Sequence, residues 1–199
     1  MKNTALIVID VQNDFIPGGS LAVTDGDKII PVINNLISSY DLVIATQDWH
    51  PENHQSFASQ HSGKDEFEIM DLNGFQQVLW PNHCVQNTFG AEFHKDLNTN
   101  NIEAIFRKGM NPEIDSYSGF YDNGRLKSTG LTGYLKEKNI EEIHFCGLAA
   151  DFCVYFSIMD ALKEGFKTVL IEEGTKPIDI QNFELQKVKL SENNRFNLR

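Results

Sequence analysis

Ile143-His144-Phe145-Cys146-Gly147-Leu148-Ala149-Ala150-Asp151-Phe152-Cys153-Val154 decides how the rest of this chain is read. It starts as a short apolar run, breaks at Gly147, and then changes period. Beyond Phe152 the apolar residues recur at Tyr155, Phe156, Met159 and Leu162, a helical spacing that ends near Gly165. The stretch predicts a strand, a tight turn and a helix, with Cys153 in the first helical turn. A thiol there faces unpaired backbone N–H groups and the positive end of the helix dipole, and both favour the thiolate. The same N–H groups could hold an oxyanion. The plainer alternative is a small buried cysteine that only packs.

Working outward, Ala5-Leu6-Ile7-Val8-Ile9 is an unbroken apolar run ending in Asp10, as suits a strand buried on both faces. A loop rich in Asn, Asp, Pro and Gly follows. A helix is expected over residues 27–38, with Asp27 as its N-cap and Pro31 near its start. Leu42–Thr46 reads as the second strand and Ile102–Phe106 as the third, leading into Arg107-Lys108-Gly109. A helix is expected over about 129–138, a fourth strand over Glu141–Cys146 and a fifth over Lys167–Ile171. Strands alternating with helices imply an α/β fold around a parallel sheet of five or six strands. Residues 47–100 show no clear period and read as an irregular insertion. Residues 181–199 are short and polar, and give poor support for a last helix and strand. With no repeat, low-complexity tract or linker, residues 1–199 read as one domain.

The 199 residues carry 17 Lys and Arg against 28 Asp and Glu, a net charge of −11, with no basic cluster. That balance argues against nucleic acid and anionic membranes as partners. No apolar stretch reaches transmembrane length, and no signal peptide precedes the first strand. Cys84, Cys146 and Cys153 are odd in number and form no CxxC pair, which fits a reducing, cytoplasmic setting.

In a parallel sheet, ligands sit beyond the carboxyl ends of the strands. Asp10, Lys108 and Cys153 fall at three such ends, so a carboxylate, an ammonium and a thiol share one edge. The carboxylate can take the thiol's proton and the ammonium can stabilise the charged pair. Taken singly, Asp10 reads as a turn residue and Lys108 as a solvated cation. After the second strand, Asp48 and His50 at i, i+2 can point to one side. With His54 and the distant His83 they form a donor set for zinc, iron or manganese, although Asp-x-His alone is weak and histidines often only bond backbone. Phe15 and Trp80 are loop aromatics, able to stack on a flat ring or merely to anchor loops.

Six segments together resemble the nicotinamidase (pyrazinamidase) family of the isochorismatase-like cysteine hydrolases. They are Val8–Phe15, Thr46–Pro51, Asn53-His54, Trp80–Val85, Phe106–Gly109 and Gly147–Val154, in order and at the right spacing over roughly residues 4–175. The resemblance implies a Rossmann-like three-layer fold and hydrolysis of nicotinamide to nicotinate and ammonia through a cysteine thioester. It implies Asp10 as general base, Lys108 as stabilising cation and Cys153 as nucleophile, with backbone N–H groups of Ala149 and Cys153 as the oxyanion hole beside a cis Leu148–Ala149 peptide. Asp48, His50 and His83 would hold one divalent metal, zinc first and iron or manganese as alternatives, with His54 a further ligand in some relatives. Phe15 and Trp80 would sandwich the pyridine ring. Ala150 departs from the family, where many members have Thr. A homo-oligomer is compatible with this reading. The rivals are another small-amide or carbamoyl hydrolase, a metal hydrolase whose nucleophile is bound water, and a non-catalytic binding or redox protein.

Overall fold

The computed structural model describes residues 3–199. Its elements, in chain order, are β1 (Thr4–Ile9), α1 (Ile30–Ile37), β2 (Val43–Asp48), β3 (Ile69–Leu72), β4 (Phe75–Val78) and β5 (Ala104–Lys108). They continue with α2 (Leu131–Glu137), β6 (Glu142–Gly147), α3 (Tyr155–Lys163), β7 (Lys167–Thr175), α4 (Ile180–Ser191) and β8 (Phe196–Leu198). Six strands form one parallel sheet in the order β5-β2-β1-β6-β7-β8.

The apolar run of β1 is buried along its whole length, as expected of a central strand covered on both faces. Its side chains alternate between the faces. Ala5, Ile7 and Ile9 pack with α2, α3 and α4 through Leu131, Leu135, Ile158, Leu162, Phe183 and Leu190. Leu6 and Val8 pack against α1 through Ile30, Ile33 and Ile37, together with the loops that carry Phe15 and Trp80. The three layers follow from that alternation.

Several local expectations are corrected. Asp27 caps nothing: it lies in a 3₁₀ turn, Gly26–Ile29, and α1 starts at Ile30 with Pro31 in its first turn. Lys108 is the last residue of β5 rather than a loop residue, because Ile44–Asp48 pairs residue by residue with Ala104–Lys108. The 47–100 stretch contains a small antiparallel hairpin, β3–β4, packed with short turns. The polar tail is ordered as α4 and β8. Asp179 caps α4 by accepting from the N–H groups of Gln181 and Asn182. Only Phe183 and Leu190 of α4 are buried, so a sparse apolar pattern sufficed to dock the helix. Among the described residues, no helix is long and apolar enough to cross a membrane.

Candidate active site

β1 and β6 are neighbours, and the chain departs from their carboxyl ends in different directions. The crevice beyond them is where ligands of open α/β sheets bind. After β1, Asp10 adopts φ +47° and turns its fully buried side chain into the crevice. After β6, Gly147 adopts φ +111°, with the backbone of Ile9 where a Cβ would stand. The Leu148–Ala149 peptide is cis, as the resemblance implies. The chain then makes a π-helical turn, Ala150–Val154, that runs into α3. Cys153 therefore lies in a wider turn than the α-helical one expected.

Lys108 Nζ is the hub. It lies 3.0 Å from Asp10 Oδ2, 2.6 Å from Asp48 Oδ1 and 3.4 Å from Cys153 Sγ, and donates to the Ser116 carbonyl at 2.9 Å. The Thr46 hydroxyl donates to Asp10 Oδ1 at 2.7 Å. Asp10 Oδ2 accepts no aligned hydrogen bond, which leaves it free to accept a proton from the sulfur. One buried ammonium thus serves two carboxylates and a thiol.

The electrostatics follow from that sharing. Burial would lower Lys108, but Asp10 and Asp48 outweigh it and hold the ammonium well above its usual range. Burial pushes Asp48 up, yet Lys108, His50 and His83 together hold it well below the usual carboxylate range. Asp10 has the longer contact with the ammonium, so burial keeps its carboxyl raised, with Lys108 opposing. It is the better base of the two. Burial also pushes the Cys153 thiol well above its usual range; Lys108 pulls it back, while Asp10 and Asp48 push it further up. Desolvation and the two carboxylates thus oppose the pull of the helix end towards the thiolate. The balance favours the thiol form of Cys153, beside the Asp10 carboxylate.

Asp48 is the last residue of β2, and His50 follows in a bridge with Val85 that brings in the loop of His83. Ligand atoms of Asp48, His50 and His83 lie within 4.8 Å of one another, all buried. His50 Nδ1 faces the Gly109 carbonyl and His83 Nδ1 the Pro81 carbonyl, each at 2.9 Å, which leaves both Nε2 atoms directed at Asp48. His50 Nε2 is buried without a hydrogen-bond partner. Burial, then His50, lowers His83 to about 4, so its ring stays neutral at ordinary pH. Burial would lower His50, but Asp48 outweighs it and raises the ring. A neutral His83 ring, an orphaned His50 nitrogen and an ionised carboxylate fit a divalent metal.

His54 falls in an overlapping group that shares His50 and adds Asp115. Its Nδ1 accepts the Ser56 N–H at 3.2 Å, and its Nε2 is buried and unpartnered. Between the thiol and the metal group runs a slot lined by Phe15, Trp80, Tyr117, Phe152 and Ala149, with Leu21 and Ile178 also on its walls. Phe15 and Trp80 are buried rather than exposed, at 3% and 4%. Ala149 and Cys153 both line the slot, as an oxyanion site there requires.

Sequence reasoning missed Asp115, Tyr117 and Phe152. Asp115 accepts from Ser116 N–H at 2.7 Å and from Gln77 Nε2 at 3.1 Å, and His50 and His54 hold it below the usual range against burial. The only signal for it was an Asp-Ser-Tyr run in the loop after the cation strand.

Residues 4–191 match the Isochorismatase domain family. A nicotinamidase of Acinetobacter baylyi is 51% identical over 179 residues, covering 90% of this chain and 84% of that protein. The structure of an Acinetobacter baumanii nicotinamidase/pyrazinamidase superposes with a TM-score of 0.96 at 48% identity, over 100% of this chain and 97% of that one. A pyrazinamidase of Pyrococcus horikoshii, solved in complex with zinc, superposes with a TM-score of 0.81 at 36% identity, over 99% and 98% of the two chains. The fold, the shared cysteine edge and these likenesses agree: the chain belongs to the nicotinamidase family of the isochorismatase-like hydrolases.

Proposed function

We propose that this protein is a nicotinamidase, hydrolysing nicotinamide, and pyrazinamide with it, to the carboxylate and ammonia. The observation that carries the reading is the approach of Lys108 Nζ to Cys153 Sγ, 3.4 Å, and Asp10 Oδ2, 3.0 Å, beside a slot that ends in the Asp48, His50 and His83 group.

Asp10 Oδ2 takes the thiol proton as Cys153 Sγ attacks the amide carbon. The oxygen's negative charge falls to the Ala149 and Cys153 N–H groups. Collapse breaks the C–N bond, Asp10 passes its proton to the nitrogen, and ammonia leaves a thioester. Water then enters, Asp10 takes one of its protons, and the resulting hydroxide attacks the thioester carbon. The C–S bond breaks, the carboxyl product leaves, and the proton on Asp10 returns to the sulfur. Lys108 compensates the negative charge carried by base and sulfur in turn. Phe15 and Trp80 hold the ring flat. Asp48, His50 and His83 would hold one divalent metal, zinc first, which would take the ring nitrogen directly or through its waters and so orient the amide. His54, with Nδ1 engaged by Ser56, is the less suited ligand. The three thiols, all free, support a cytoplasmic setting.

Ammonia release from nicotinamide by the purified, zinc-supplied protein tests the reading. Turnover that falls on chelation is expected. No ammonia from nicotinamide with metal present would overturn it.

A further inference from the structure

The loop that follows β1 reaches both arms of the metal group. The Gln12 side chain is fully buried and grips the Asp48 peptide from both sides: its Oε1 accepts the Asp48 N–H and its Nε2 donates to the Asp48 carbonyl, each at 2.8 Å. The same Nε2 donates to the Ala91 carbonyl at 2.8 Å. Two residues on, Asp14 Oδ2 accepts the N–H of Cys84 at 2.7 Å, next to His83. Cys84 stands at φ +46°, an unfavourable conformation for a side-chain-bearing residue, and this hydrogen bond holds it there. Gly90 packs so closely on the Asp14 carboxylate that a Cβ would overlap it, which leaves the carboxylate little room to swing. Next to Asp14 in the chain, Phe15 packs on the His83 ring with centroids 5.5 Å apart.

We propose that Gln12 and Asp14 are positioning residues of the metal centre. Gln12 fixes the backbone that carries Asp48, and Asp14 fixes the backbone that carries His83. Asp14 belongs to none of the ligand groups, and both polar atoms of the Gln12 side chain are taken up by backbone. The loop leaving the strand of the base thereby sets the separation of two ligands that lie 35 residues apart in the chain, and it ties the position of Asp10 to that of the metal. The inference rests on the metal reading given above.

The test is zinc affinity of the apoprotein, measured by competition with a chromogenic chelator, together with the alkylation rate of Cys153. Removing a hydrogen bond that orients a ligand typically costs about 10–100-fold in metal affinity. Asp14→Ala and Gln12→Met should each lose about that much while Cys153 alkylates at the wild-type rate. Asp14→Asn keeps an oxygen for the Cys84 N–H and should bind within about threefold of wild type. A merely structural role would not produce that rescue with thiol reactivity unchanged. Should Gln12→Met fail to fold, Asp14→Ala, at a partly exposed position, carries the same readout. Wild type and Asp14→Ala binding zinc equally would overturn the inference alone. A wild-type chain that takes up no zinc would overturn the metal reading, and this inference with it.

Discussion

Replacing Gly109 by alanine should disable the metal group while sparing the thiol. Gly109 has φ +64° and lies under the His50 ring. An alanine Cβ would stand 2.6 Å from His50 Nδ1, whereas ordinary contacts begin at 3.4 Å. The ring must retreat by about 1 Å, and with it goes the Nδ1 contact to the Gly109 carbonyl, 2.9 Å in the native chain. Two costs follow. The left-handed backbone costs alanine about 1–2 kcal/mol of stability. Displacing a ligand from its orienting partner costs about 10–100-fold in metal affinity, or about 1.4–2.7 kcal/mol. Gly63→Ala separates the two, since Gly63 has φ +75° and nothing within 4 Å of the added methyl. Both variants should lower the melting midpoint by about 2–8 °C. Only Gly109→Ala should lose zinc in chelator competition, with Cys153 alkylating normally. A Gly109→Ala protein that holds zinc within twofold of Gly63→Ala would refute the view that the His50 ring is fixed by contact with that residue.

Cys153→Ala should abolish turnover, and a nicotinamide-derived thioester should be trappable on the wild type; near-normal activity in the variant would transfer the chemistry to metal-bound water. Asp10→Asn should cost at least about 10²–10⁴-fold in rate while remaining folded by circular dichroism. In Lys108→Ala the thiol should titrate higher, because the thiolate loses its cation, and an unchanged alkylation-versus-pH curve would remove Lys108 from that role. On the proposed mechanism Asp10 works ionised, and its carboxyl is raised by burial, so kcat/KM should fall on acidification through a pH above the usual 3.8. An inflection at or below that value, or one that moves with added zinc, would count against Asp10 as the base. Benzamide has the same flat shape without the ring nitrogen; it should be a poor substrate and be little affected by stripping the metal, and hydrolysis as fast as that of nicotinamide would contradict metal-held ring orientation.

Most of the fold was legible because β1, β2 and β6 are central strands, and burial on both faces leaves unbroken apolar runs. Asp10 and the Cys153 turn could be read because strand ends define the ligand edge without any knowledge of side-chain contacts. Asp115 and Tyr117 could not. Their roles come from Gln77 on the β3–β4 hairpin and from the His50 and His54 rings, all brought there by tertiary packing. The electrostatics of Cys153 were only half legible for a related reason. Local sequence shows a helix end, but the desolvation and the two carboxylates that oppose it come from other strands. The tail was underestimated because α4 docks on two buried side chains, too few to generate a clear helical period.

The carboxylate of Asp151, two residues before Cys153, accepts the N–H groups of Ile178 and Asp179 at 2.8 and 2.9 Å, and Gln186 of α4 donates to the Asp151 carbonyl at 3.0 Å. These bonds span 27 to 35 residues of chain. In folding terms, the Cys153 turn is a high-contact-order structure completed from downstream. Loops of that length close late, after local helices and neighbouring strands have formed. Regain of amidase activity after dilution from denaturant should therefore trail regain of helical signal. Asp151→Asn, which offers one acceptor oxygen where two backbone donors wait, should widen that lag. If activity and ellipticity returned together in both proteins, the C-terminal segment would not be the last piece of the site to settle.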